Sequence, residues 1–232
     1  MFIAKRLVSD FICLLYPDLC NGCGIQLFHG ERQICSKCLY DLPYTDFDQY
    51  SDNPIAKLFW GRIRCHNAMA MLYFRKESKV QNLIHRLKYK NQTSVGLVLG
   101  RLLGERLLQS DNYFDADLII PIPLHPKKER IRGYNQSTFI AEGIAEILNI
   151  PVSHTNLIRQ KNTESQTKKS RYQRFENMQC VFMVSDPESL KDKHILLIDD
   201  VITTGATFEA CGAILLGHSI KKLGIVALAY TE

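Results

Sequence analysis

Asp199 and Asp200 stand side by side in LLIDDVITTGAT (residues 196–207), where a run of branched apolar residues gives way to a threonine-rich turn. Two adjacent carboxylates repel, and both lose hydration at the mouth of a buried strand, so the pair requires a compensating partner. Thr203, Thr204, Gly205, Ala206 and Thr207 then read as a helix start. Unpaired backbone N–H groups and the positive end of the helix dipole make such a start attractive to an anion. Gly205 permits close backbone approach, and the threonine hydroxyls add donors. The stretch therefore reads as a phosphate cradle with two carboxylates about one sugar's width away, placed to accept hydrogen bonds from vicinal hydroxyls. It lacks the Gly-Lys pair of a Walker A loop, so triphosphate hydrolysis is not implied. The competing reading is a solvent-exposed acidic turn that ends a strand.

Four of the eight cysteines, Cys20, Cys23, Cys35 and Cys38, fall as C-x2-C-x11-C-x2-C. Two such knuckles complete a tetrahedral Zn²⁺ site, and four thiolates close it, so the metal is expected to be structural. Asn21, Gly22 and Gly24 supply permissive backbone, and His29 is a lesser candidate ligand. Cys13, Cys65, Cys180 and Cys211 have no such spacing and read as small core residues.

Two basic segments could face anions. In PIPLHPKKERIRGYNQS, Lys127, Lys128, Arg130 and Arg132 cluster as a loop after an apolar strand. In IRQKNTESQTKKSRYQRFEN, Lys168, Lys169 and Arg171 stand among few apolar residues, which predicts a segment ordered by its ligand. His125, lying next to Pro126, is read as structural.

The elements that position these groups follow from periodicity. Val80, Leu83, Ile84 and Leu87 mark one helix; Val95, Leu99, Leu102, Leu103 and Leu107 mark another, with Thr93 or Ser94 as its N-cap. A third spans STFIAEGIAEILN, capped near Asn135 or Ser137, and a fourth follows Gly205 and ends at Gly217. Candidate strand residues lie in residues 62–74, and ADLIIPIP, HILLIDD and LGIVALAY read as strands, with brief ones in NLIRQ and CVFMV. Strands alternating with helices indicate an α/β domain with a mainly parallel sheet, whose ligands bind beyond the carboxyl ends of the strands. DLPYTDFDQYSDN, with four Asp and no Lys or Arg, marks a composition shift. It separates an N-terminal helix and cysteine module, residues 1–53, from the α/β domain of residues 54–232.

Apolar strand, acidic pair, Val201 and T-T-G-x-T together resemble the phosphoribosyltransferase signature for 5-phosphoribosyl-1-pyrophosphate (PRPP). The resemblance implies a type I phosphoribosyltransferase-like fold: a mainly parallel sheet flanked by helices, here with a small zinc-ribbon-like N-terminal module. It implies that Asp199 and Asp200 hold the ribose hydroxyls as the catalytic acidic pair, and that residues 203–207 hold the 5′-phosphate. It also implies a pyrophosphate loop carrying Lys128, Arg130 and Arg132, a flexible hood carrying Lys168, Lys169 and Arg171, and Mg²⁺ bound with PRPP. P-x-P-L-H, R-x-R-G-Y-N-Q, T-x-x-Q-T, R-x-x-x-x-N, LKYKNQ (residues 87–92) and the four-cysteine knuckle extend the likeness to the ComF family of competence-associated, GntX-like proteins. Family membership implies phosphoribosyl transfer to an unidentified acceptor. The alternative is a non-catalytic or PRPP-regulated factor that handles single-stranded DNA during DNA uptake, with Tyr134, Tyr172 and Phe175 available for stacking on bases. Glutamine-dependent chemistry is not expected, because residue two is Phe2 and Cys13 lies in an apolar stretch.

The charge of +5, from 29 Lys+Arg against 24 Asp+Glu, is too mild to name an anionic partner. At the N-terminus, Asp10 interrupts the apolar run, ICLLY is too short to span a bilayer and no small-residue cleavage site follows. An amphipathic helix packed on the body of a cytoplasmic protein is expected, with no membrane insertion.

Overall fold

The computed structural model describes residues 17–159 and 182–231. The expected N-terminal helix, and Lys168, Lys169, Arg171, Tyr172, Phe175, Cys13 and Cys180, lie outside the described residues.

Four strands, β1 (Asn67–Phe74), β2 (Leu118–Pro121), β5 (His194–Ile202) and β6 (Lys222–Thr231), form one parallel sheet in the order β1-β6-β5-β2. Their sequences are near-continuous apolar runs because a parallel sheet covered by helices buries both faces of each strand. Ile195–Ile198 and Ile225–Ala229 accordingly have no exposed surface. Two three-residue strands, β3 (Leu157–Arg159) and β4 (Phe182–Val184), pair antiparallel apart from this sheet.

The longer helices that touch the sheet are α3 (Lys79–Tyr89), α4 (Thr93–Leu108), α6 (Gln136–Leu148) and α7 (Ala206–Leu216). The Ser78 hydroxyl caps α3, and Val80, Leu83, Ile84 and Leu87 are buried as their spacing requires. The N-cap of α4 is Gln92, not Thr93 or Ser94, and no side chain bonds the first turn. α4 and α6 approach so closely that their main chains touch. A Cβ at Gly100 would lie 2.3 Å from the Ile140 carbonyl oxygen, and one at Gly143 would lie 2.4 Å from the Leu97 oxygen. α6 is thereby held tightly over the sheet, with its first turn toward β5.

The segment expected to be a basic loop is instead largely helical, α5 (Pro126–Arg132). Pro126 is pre-set for the first helical position, the His125 ring nitrogen Nδ1 accepts from the Lys127 N–H, and Gly133 closes the helix at φ 82. His125 is thus a cap, in keeping with a structural role.

The N-terminal cysteine segment folds around α1 (Ser36–Tyr40) and is fastened to α3, where Asn82 Nδ2 donates to the Gly22 oxygen and Lys79 pairs with Asp41 at 2.8 Å. Residues 43–45 run along the free edge of β1, with Thr45 N–H donating to the Met71 oxygen and Tyr44 bridging Leu72, which shields that edge. Next, α2 (Pro54–Lys57) is capped by Asn53. Cys211 is fully buried, and Cys65 is half-buried at the margin of the core. Among the described residues, no helix is long and apolar enough to cross a membrane.

Candidate functional site

β2 ends at Pro121, level with Ile198, while β5 runs on beyond it. Asp199 and Asp200 therefore emerge at the carboxyl end of the sheet, where ligands of parallel α/β folds collect. Their environments differ. Asp199 Oδ1 accepts from the Ser137 hydroxyl at 2.7 Å and from the Asp200 N–H at 2.8 Å. Burial, reinforced by the negative charge of Asp200, pushes the Asp199 carboxyl up to about 7; the two hydrogen bonds and Lys88 offset this only in part. Asp200 Oδ2 lies 2.8 Å from Lys88 Nζ, with the two side chains only 10% and 21% exposed.

The loop beyond the acids has the geometry of a helix-start cradle. Gly205 sits in the left-handed region at φ 74, and an added Cβ would lie 3.0 Å from the Phe59 ring, so both backbone shape and space require glycine. The N-cap Gly205 offers no side chain, and beyond a 3.5 Å contact from the Ala206 N–H to the Thr204 hydroxyl no side chain caps the first turn of α7, which starts beside the exposed Thr203, Thr204 and Thr207. Arg62 braces the loop from below. Its Nη1 donates to the Thr204 oxygen at 2.9 Å and the Leu58 oxygen at 2.8 Å, and its Nη2 pairs with Glu209 in the first turn of α7. Arg62 is separated from the loop by 142 residues, and nothing in its local sequence signals the contact.

The segment from Arg132 to Ser137 ties the site together. Arg132 Nη1 donates to Gln136 Oε1 at 2.7 Å, and its guanidinium lies 5.1 Å from the Tyr89 ring centroid. The Tyr134 hydroxyl donates to the Leu87 carbonyl at the end of α3. Asn135 Nδ2 donates to the Ile122 oxygen at 2.8 Å, while its Oδ1 caps α6. Ser137, expected as a possible cap, instead bonds Asp199. Of the expected basic residues, Arg132 is built into this network, whereas Lys128 and Arg130 are exposed on α5. Lys88, inside the LKYKNQ stretch, was not singled out from sequence, yet among the described residues it is the cation that pairs with Asp200.

The four cysteines converge: the Sγ atoms of Cys20, Cys23, Cys35 and Cys38 all lie within 4.8 Å of one another, with Cys23 and Cys35 at 3.7 Å. Zn–S bonds of about 2.3 Å in a tetrahedron require S···S separations of roughly 3.8 Å, so the donor set fits zinc. His29 is exposed and does not belong to this group. Burial opposes ionisation of Cys20, but N–H groups of Cys35, Cys23 and Gly22 outweigh it and bring that thiol down to about 6. Burial and the neighbouring sulfurs push Cys38 well up. Without a cation the cluster favours a thiolate at Cys20 but resists ionisation of Cys35 and Cys38, and a divalent metal removes that conflict. A Cβ at Gly22 would come within 3.1 Å of Cys38 Sγ, which explains the glycine in the knuckle.

Comparison with known proteins agrees with this geometry. The family described as phosphoribosyl transferase domain matches residues 135–232. Competence protein F of Haemophilus influenzae is 26% identical over 216 residues, spanning 91% of this chain and 90% of that protein. DNA utilization protein YhgH of Salmonella typhimurium is 27% identical, spanning 92% and 85% respectively. Competence protein ComFC of Bacillus subtilis is 40% identical over 99 residues, 43% of this chain and 38% of that one. The domain match covers the residues that hold the acidic pair and its loop, and the likeness to competence protein F extends over most of the chain, so the chain is similar to phosphoribosyl transferase domains over residues 135–232 and to competence protein F along most of its length.

Proposed function

We propose that the chain binds PRPP and transfers its phosphoribosyl group to an acceptor. The carrying observation is the placement of Asp199 and Asp200 at the end of β5, directly before the uncapped start of α7. A ribose 5-phosphate unit suits both features: its phosphate takes the N–H groups and hydroxyls of residues 203–207, and its vicinal hydroxyls donate to the carboxylates. The substrate in this reading is the magnesium complex of PRPP, the ion supplying charge neutralisation to the diphosphate. As pyrophosphate leaves, positive charge develops at the anomeric carbon. Buried carboxylates at the hydroxyls stabilise that charge without forming a covalent bond, so positioning and electrostatics carry the rate. Asp199, held by the Ser137 hydroxyl and the Asp200 N–H and resisting ionisation in the empty site, gains a third donor when a ribose hydroxyl binds. The exposed Lys128 and Arg130 are available to the departing diphosphate, and the basic Lys168, Lys169 and Arg171 are further candidates for it. The cysteine cluster holds one structural zinc, and residues 1–53 act as the module that carries it.

The test is calorimetric titration with PRPP and Mg²⁺, followed by pyrophosphate release across a panel of nucleobases and amines. Binding that disappears in Asp199→Ala/Asp200→Ala is expected; a wild-type protein that ignores PRPP refutes the proposal. The printed names of the relatives, competence protein F and DNA utilization protein, support a second reading in which PRPP binding regulates the handling of single-stranded DNA. That reading expects PRPP binding without turnover, together with salt-dependent retention of single-stranded DNA.

A further inference from the structure

The structure supplies from within the chain the compensation that the acidic pair demands. Lys88 reaches Asp200 from the last turn of α3, upstream of the residues matched by the phosphoribosyl transferase family. Its backbone is pinned on both sides. Leu87 is fully buried and its carbonyl accepts from the Tyr134 hydroxyl, while the Tyr89 ring lies against the Arg132 guanidinium. Only the four-carbon stem of Lys88 is free to redirect its charge, and an ammonium on such a stem moves between acceptors by rotamer changes alone. Arg132 cannot substitute for it, being engaged with Gln136 and Tyr89.

Resting on the reading of residues 199–207 as a PRPP site, we propose that Lys88 is a selectivity residue, neutralising Asp200 in the empty site and passing to the diphosphate when ribose hydroxyls displace it. The geometry makes the exchange necessary. A hydroxyl that donates to Asp200 Oδ2 competes for the oxygen that Lys88 holds at 2.8 Å. The displaced ammonium is mostly buried, and such a charge left without an anion is costly. PRPP carries both the displacing hydroxyls and, on the adjacent anomeric carbon, the anion that receives the lysine. Ribose 5-phosphate carries the hydroxyls and the 5′-phosphate but no diphosphate, so it dislodges Lys88 without replacing its partner. Lys88 thus weakens the donor stripped of its leaving group and favours the intact one.

The test compares dissociation constants of PRPP and ribose 5-phosphate, with Mg²⁺, for wild type, Lys88→Met and Lys88→Arg. Lys88→Met is expected to weaken PRPP about tenfold while leaving ribose 5-phosphate unchanged or tighter, so their ratio falls at least tenfold. Lys88→Arg keeps the charge and should hold the ratio within about threefold of wild type. A ratio unchanged in Lys88→Met, or one that falls equally far in Lys88→Arg, overturns the proposal. Should the methionine variant not fold, Lys88→Gln, which still donates to Asp200 but carries no charge, takes its place. A wild type that binds neither sugar phosphate refutes the site itself and this role with it. A wild type that binds PRPP with a ratio indifferent to Lys88 refutes only the role.

Discussion

Asp199→Asn is expected to stabilise the ligand-free protein above neutral pH, because the wild-type carboxyl is held in a place that resists its charge. The group ionises near 3.8 in its ordinary state and near 7 in the fold, where burial and Asp200 oppose the anion. Below about pH 4 both states are protonated, and the group contributes nothing to stability. As pH rises from about 4 to about 7 the unfolded chain gives up a proton that the folded chain keeps, so stability is lost across that window and the loss is complete above it. At about 1.4 kcal/mol per unit, the penalty is roughly 2 kcal/mol at pH 5 and roughly 4 kcal/mol at pH 8, both upper bounds for a carboxylate that shares its burden with a neighbour. Asparagine retains an oxygen to accept from the Ser137 hydroxyl and the Asp200 N–H, so the substitution removes charge without orphaning either donor. Urea unfolding of both proteins between pH 5 and pH 8, without ligand, measures the effect as a difference in which other titrations cancel. The advantage of the variant should grow by about 2 kcal/mol across that range, equivalent to a further ~4–8 °C in Tm for a protein of this size. An advantage that is flat with pH, or a variant less stable than wild type at pH 8, would refute the account of a partly buried, charge-strained Asp199. The same variant should lose PRPP affinity, since strain of this kind is retained for a ligand that relieves it.

Two further outcomes rest on other parts of the fold. Gly100→Ala places a Cβ 2.3 Å from the Ile140 oxygen and must separate α4 from α6, so it should lower unfolding free energy by about 1–3 kcal/mol despite the ~1 kcal/mol by which alanine favours a helix. A neutral or raised urea midpoint would show that the helices part freely. Freshly purified protein should contain about one zinc per chain by elemental analysis, and Cys35→Ser should lose the metal and melt at lower temperature. A wild type with well under one equivalent would remove the zinc assignment.

Local pattern settled the elements and the chemical types. The spacing of Val80, Leu83, Ile84 and Leu87 placed α3, the unbroken apolar runs placed the parallel strands, and Asp199 to Thr207 marked the candidate site. Each of these depends on neighbours within a turn or a strand. The same locality explains two misreadings at element ends. Pro126 and Gly133 bracket a short helix in what reads as a charged loop, and Gln92 displaces two better capping residues at the start of α4.

Gly96, Gly100 and Gly104 face α6, where added Cβ atoms would meet Phe139, Ile140 and Ile147, a contact that the apolar spacing of α4 did not report. Periodicity reports that a face is buried and not what buries it. The partner of the acidic pair lay beyond reach for the same reason. Lys88 precedes Asp200 by 112 residues (200 minus 88) and Arg62 precedes Thr204 by 142, and neither distance leaves a mark on composition or spacing. Only the packing of α3 against the sheet, fixed by Leu87 and tied to Tyr134, brings one lysine to Asp200 while leaving those of α5 in solvent. The sequence by itself marked the acidic pair and the loop that follows it. The tertiary structure decided which cation meets Asp200, because the cost of a buried carboxylate is met by whichever cation the fold can deliver without desolvating it alone.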